Sequence, residues 1–153
     1  MIRDRGIPRA RMIEIRPAAA ADAQAMAHLL TQLGYPATAA DMPDRLQQVE
    51  REGGIAVIAA DDAGPLGLAS AVRHPTLHAG GYVAYITALV TTEEARGRGV
   101  GRALVAAVEK WAREQGCARL SVTSAEHRAD AHAFYPRCGM PYTGRRFSKT
   151  IAP

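Results

Sequence analysis

Apolar positions along this chain recur with two different periods, and each change of period marks an element. Ile13-Glu14-Ile15-Arg16 alternates as a short half-buried strand does. After Pro17 the period lengthens: Ala25, Met26, Leu29, Leu30 and Leu33 share one face of a helix predicted over 22–33, which Gly34 ends. Tyr35-Pro36 turns the chain into a weaker helix over 41–52, with Leu46 and Val49 inward and Gly53-Gly54 as its stop. Residues 55–60 and 66–72 read as a hairpin across Asp61-Asp62-Ala63-Gly64. A loop is expected over 74–81 and a long strand over 82–90. Val100, Leu104, Ala107, Val108 and Trp111 then return to helical spacing, with Trp111 a core residue. Glu109–Arg113 and Lys110–Glu114 lie on the wet side of that helix, and Gly116 closes it. A strand over 119–123, a helix over 128–137 and a last strand over 142–151 complete the pattern.

Composition narrows the class. At 153 residues and 48% apolar content, the chain can close one core, and no repeat or linker divides it. No apolar run approaches the ~20 residues of a membrane span. Residues 1–12 are basic, carry Gly6 and Pro8, and lack the apolar centre of a signal peptide. They read as a flexible arm before a domain over 13–152, with Met1 and Met12 both open as the natural start. Cys117 and Cys138 have no metal-ligand spacing, so two free thiols in a reducing cytoplasm and no metal are expected.

The formal net charge of +4 draws on Arg3, Arg5, Arg9 and Arg11 in the arm and on Arg96, Arg98 and Arg102 further on. Such a balance suits an anionic ligand. Aromatics are only 5%, and no strip alternates basic with aromatic residues, which argues against nucleic acid as partner.

The chemistry concentrates in Arg96-Gly97-Arg98-Gly99-Val100-Gly101-Arg102, between a strand and a helix. Glycines there let backbone N–H groups crowd at the positive end of the helix dipole, a natural seat for phosphate or pyrophosphate. A mononucleotide P-loop would end in Gly-Lys-Ser or Gly-Lys-Thr, whereas Gly101 is followed by Arg102-Ala103. A dinucleotide fingerprint would read G-x-G-x-x-G after the first strand, and here the order is G-x-G-x-G in mid-chain.

The loop resembles the acetyl-CoA loop of the GNAT acetyltransferase superfamily, Arg/Gln-x-x-Gly-x-Gly/Ala. Downstream, Ala131-His132-Ala133-Phe134-Tyr135-Pro136-Arg137-Cys138-Gly139-Met140 is similar to that family's late helix, with an aromatic–tyrosine pair four residues before a glycine. The order of elements from Ile13 to Ile151 agrees too. The resemblance implies an α/β domain with a mixed, mostly antiparallel twisted sheet of six or seven strands and about four helices. It implies an acetyl-CoA-dependent N-acetyltransferase. Arg98, Gly99, Val100, Gly101 and Arg102 would hold the pyrophosphate, and Arg96 and Gly97 would shape the turn. The open strand edge at Leu89 and Val90 would pair with the pantetheine amides, as an unpaired sheet edge accepts a peptide-like ligand. Tyr135 would protonate the leaving thiolate, and a backbone N–H near Leu89 or Val90 would meet the oxyanion.

Two departures from the family stand out. Many members carry a glutamate on the strand before the loop, where this chain has Ile86-Thr87-Ala88-Leu89-Val90. Glu93 and Glu94 lie too far along, so the base is open among ordered water helped by Tyr82 or Tyr85 and the histidines His74, His78 and His132. An asparagine often precedes the tyrosine helix, and here the chain reads Glu126-His127-Arg128. Arg128 is either a donor to CoA or a cap for that helix, and Ser124 is a second candidate cap. No His–acid setting accompanies either cysteine, which favours direct transfer over an acyl-cysteine. A small amine metabolite is the first expectation for the acceptor, and a protein N-terminus or lysine the second. A non-catalytic acyl-CoA-binding module is the competing class, and the exposed sheet edge leaves a homodimer open.

Overall fold

Antiparallel pairing builds most of the sheet. The computed structural model describes residues 11–125 and 127–152. Five strands lie side by side in chain order: β1 (Glu14–Pro17), β2 (Ile55–Asp61), β3 (Gly64–Thr76), β4 (Gly81–Thr91) and β5 (Cys117–Val122). Pairing is antiparallel from β1 to β4 and parallel between β4 and β5. A parallel pair needs a crossover, and α3 (Val100–Glu114) supplies it; the other helices are α1 (Ala23–Leu33), α2 (Met42–Arg51) and α4 (Ala129–Arg137).

The two sheet faces bury separate cores. On one face Val100, Leu104, Val108 and Trp111 of α3 pack against Val57, Ala59, Ala69, Ala71, Ala84 and Ile86. On the other, Met26, Ala27 and Leu29 of α1 and Met42 of α2 cover Ile58, Leu68 and Val90. Full burial of side chains such as Leu104 and Ile58 contributes roughly 1.5–3 kcal/mol each. A bulge alters the alternation within β4. Ser70 pairs with Ala88 but Ala71 pairs with Ile86, so Thr87 is an extra residue. Ala84 and Ile86 belong to the α3-side core before it, whereas Leu89 packs there after it and Val90 joins the other core.

The mixed, mostly antiparallel sheet and four helices match the expectation, but the strand count does not. There are five strands, not six or seven. The expected last strand over 142–151 has no regular structure, and its Tyr142, Phe147 and Ile151 are largely solvent-exposed. Its apolar alternation therefore has no core face to bury, and β5 gains no second neighbour among the described residues. The expected loop over 74–81 is also shorter. Arg73, His74 and Pro75 pair with Ala84, Val83 and Tyr82, and the Arg73 guanidinium lies 4.3 Å from the Tyr82 ring centroid. The expected arm over 1–12 lies outside the described residues apart from Arg11 and Met12, and no helix among those described is long and apolar enough to cross a membrane.

Candidate active site

β4 has partners on both sides only as far as Ile86, which is opposite Val122. Beyond that point it stays bonded to β3 through Thr91, while its other edge opens. The gap widens into a cavity of 570 Å³, walled by residues 86–91 of β4 and by residues 122–125 at and beyond the end of β5. Leu33 and Tyr35 at the end of α1, Arg96 and Gly101 of the glycine loop, and Phe134 and Tyr135 of α4 complete its walls.

The loop at one end is shaped by its glycines. Gly97 and Gly99 have φ of +71° and +76°, a region that residues with a Cβ rarely occupy. The Arg98 amide between them bonds Ala95 O at 3.2 Å. The first helical bond of α3 runs from Ala103 N–H to Gly99 O at 3.0 Å. The amides of Val100, Gly101 and Arg102 consequently have no backbone acceptor among the described residues. They stand at the positive end of a fifteen-residue helix.

Of the residues singled out from sequence, Leu89, Val90, Arg96, Gly101, Arg128 and Tyr135 line this cavity. Gly97, Arg98, Gly99, Val100 and Arg102 do not. Val100 points into the core. The guanidinium of Arg98 is taken by Asp61 at 2.9 Å, and that of Arg102 by the carbonyl of Arg137 at 2.7 Å. Two of the three loop arginines thus fasten the loop helix to its surroundings.

α4 has no fully buried residue, so a few contacts position it. The Phe134 ring fits over Gly101, where a Cβ would come within 3.2 Å of it. Phe134 also meets Tyr135 edge-on, with ring centroids 5.3 Å apart. Arg128 settles part of the question left by the sequence. It stands at the start of α4 without a capping side-chain bond, and its guanidinium crosses to the carbonyl of Leu33 at the C-terminal end of α1. A cation is favoured there by the helix dipole. Ser124 caps nothing: its Oγ is buried with no partner among the described residues.

Burial pushes the Tyr135 phenol above its ordinary range, against the pull of the nearby Arg128 charge. Tyr135 is therefore protonated at neutral pH. Cys117 and Cys138 do not line the cavity, and burial raises the Cys117 thiol as well. Nor do His74, His78 and His132 line it. Tyr82 is held under Arg73 at the far end of β4, whereas Tyr85 donates to Thr123 Oγ1 at 2.7 Å on the cavity wall. Thr123 also accepts from Arg146 at 3.2 Å. Thr123 and Asp130 of the cavity wall were not singled out from the sequence. Each depends on chain crossings that no local pattern announces.

The sequence model of the Acetyltransferase (GNAT) family matches residues 23–140. The chain belongs to this family. The match contains the glycine loop, the splayed strand and the tyrosine helix together. The GNAT chain is 35% identical over 136 residues to aminoglycoside N(6')-acetyltransferase type 1 of Stenotrophomonas maltophilia, covering 86% of this chain and 88% of that protein. Among solved structures it resembles glucosamine-6-phosphate N-acetyltransferase from Arabidopsis thaliana (TM-score 0.80, 19% identity, 92% of this chain and 99% of that one). It also resembles an aminoglycoside 6'-N-acetyltransferase from Acinetobacter baumannii (TM-score 0.77, 20% identity, 92% of this chain and 100% of that one). At such identities the structural likeness speaks for the fold. Family membership makes the protein an acetyltransferase, and the GNAT family uses acetyl-CoA as co-substrate.

Proposed function

We propose that this protein moves the acetyl group of acetyl-CoA directly to a primary amine on a small molecule. One observation carries the reading: the start of the loop helix at Gly101, an open strand edge and a half-buried protonated tyrosine meet around one cavity. The residues fit acetyl-CoA along its length. The amides of Val100, Gly101 and Arg102, with Arg96, would take the pyrophosphate. The edge at residues 87–90, beyond the pairing with β5, would bond the pantetheine amides as an added half-strand would, while the Thr91 carbonyl already accepts from Gln32 Nε2 at 3.0 Å. The buried, unpartnered Ser124 Oγ offers another donor on the opposite wall.

Within this arrangement the chemistry needs three things. A neutral amine attacks the thioester carbonyl, the developing oxyanion needs a donor, and the departing thiolate needs a proton. Backbone N–H groups on the free edge near Leu89 and Val90 would serve the oxyanion. Tyr135, kept protonated by burial, would give the sulfur its proton. The amine would pass its proton to bulk solvent through water ordered beside the Tyr85–Thr123 pair, which positions that water and does not keep the proton. Neither cysteine reaches the cavity, which favours direct transfer over an acyl-cysteine.

The similarity to a protein named for aminoglycoside acetylation supports a small-molecule acceptor. The test is amine-dependent thiol release from acetyl-CoA across aminoglycosides, polyamines, amino acids, amino-sugar phosphates and peptide N-termini. A small amine is expected to give the highest kcat/KM. Preference for the peptides would overturn the acceptor class. CoA binding without thiol release from any amine would favour the non-catalytic module.

A further inference from the structure

Asp61 and Arg98 are 37 positions apart, and the sequence gives no reason to connect them. In the fold, Asp61 ends β2 and its carboxylate meets Arg98 of the glycine loop. Asp61 is half-buried at the protein's edge with its side chain covered, and the Ala63 amide first and Arg98 next hold its carboxyl below the usual carboxylate range. One oxygen accepts from Arg98 Nη2 at 2.9 Å and the other from the Ala63 amide at 2.9 Å. Arg98 is itself flanked by the two left-handed glycines, Gly97 and Gly99. Two glycines one residue apart leave a loop with many conformations to lose on ligand binding. Arg98 is the one residue between them that can be anchored: its amide bonds Ala95 O, and its guanidinium bonds Asp61 at 2.9 Å and, more loosely, the Arg11 carbonyl at 3.5 Å.

We propose that the Asp61–Arg98 ion pair is a strut that holds the glycine loop in its ligand-binding shape. Arg98 serves the loop through this carboxylate, not through a phosphate. This rests on the acetyl-CoA reading of the cradle. Both residues are positioning residues: their contribution is a loop whose amides already converge before the ligand arrives, which lowers the cost of binding.

The two roles for Arg98 predict opposite results for Asp61→Asn. A strut weakens when its acceptor loses charge. A phosphate ligand is released for its phosphate. Calorimetric titration of CoA into wild type, Asp61→Asn, Arg98→Ala and the double variant separates them. The strut predicts that each single variant loses about tenfold in CoA affinity, the double loses no more than either, and kcat at saturating acetyl-CoA holds. Tight binding by Asp61→Asn beside weak binding by Arg98→Ala would overturn it. Hydrogen exchange of the ligand-free protein, with Arg98→Gln as a milder variant, gives a second readout. The Arg98 and Ala103 amides, bonded to Ala95 O and Gly99 O, are expected to exchange faster in Arg98→Gln than in wild type while the β2–β3 core is unchanged. Equal exchange would contradict the strut. Failure of the wild type to bind CoA would refute the cofactor reading itself, a result distinct from either.

Discussion

Gly101 and Phe134 interlock: a Cβ on Gly101 would come within 3.2 Å of the Phe134 ring. Gly101 lies outside the left-handed region, unlike Gly97 and Gly99. Its lack of a side chain therefore serves a contact, not a turn. Through that contact the start of α3 sets the height of α4, and Tyr135 follows Phe134 in sequence.

Gly101→Ala is therefore expected to displace α4 more than it unsettles the core. The overpacking cost is about 1 kcal/mol, partly offset by better helix propensity. Turnover should fall several-fold while the melting temperature moves by only a few degrees. Gly101→Ala/Phe134→Leu, which relieves the crowding, should recover part of the lost rate. A variant that melts normally and turns over normally would remove the interlock from the account.

Arg128 ties α4 to the last turn of α1, and α4 has no fully buried residue to hold it otherwise. Arg128→Ala should raise hydrogen exchange along α4 and lower kcat, with little change in α3. Removing this charge also removes the influence that draws the Tyr135 phenol downward, so its titration should move further up. A spectrophotometric tyrosine titration of Arg128→Ala against Arg128→Ala/Tyr135→Phe isolates that one phenol.

Acid sensitivity should trace in part to Asp22. Arg16 grips its carboxylate with two bonds of 2.8 Å, and the Ala19 amide adds a third at 2.8 Å. The Arg16 bonds, foremost, hold its pKa below the ordinary carboxylate range. A folded-state pKa below the unfolded value of ~3.9 gives stability that is fully present above ~3.9 and is lost as pH falls through the folded pKa. Asp22→Asn should cost about 1–2 kcal/mol at neutral pH, a modest figure because Arg16 is one-third exposed. It should also flatten the stability profile below pH ~4. Parallel acid limbs for wild type and variant, from denaturant melts, would count against this assignment.

The parts of the molecule that were legible in sequence are those with local causes. Helical spacing located α1 and α3, and the glycines located the turn between β4 and α3. The family resemblance added the splay of β4 and β5, and pairing does end at Ile86 and Val122. Side-chain destinations were not legible. Arg96, Arg98 and Arg102 look equivalent in sequence, yet one lines the cavity, one meets Asp61 and one meets the end of α4. Distant backbone decides which. The extra length of β3 and β4 escaped notice because Arg73, His74 and Pro75 are held by ladder bonds and by Tyr82, not by apolar alternation. The tail erred the other way. Residues 142–151 carry strand-like apolar positions, but alternation predicts a strand only where an edge and a core face receive it.

The most direct test of the proposed chemistry is Tyr135→Phe, read by acetyl-CoA turnover with the best amine and by CoA affinity on the same preparation. Loss of the phenol proton should lower kcat about a hundredfold and leave CoA affinity within about twofold of wild type. Unchanged kcat would contradict Tyr135 as the donor to the leaving thiolate.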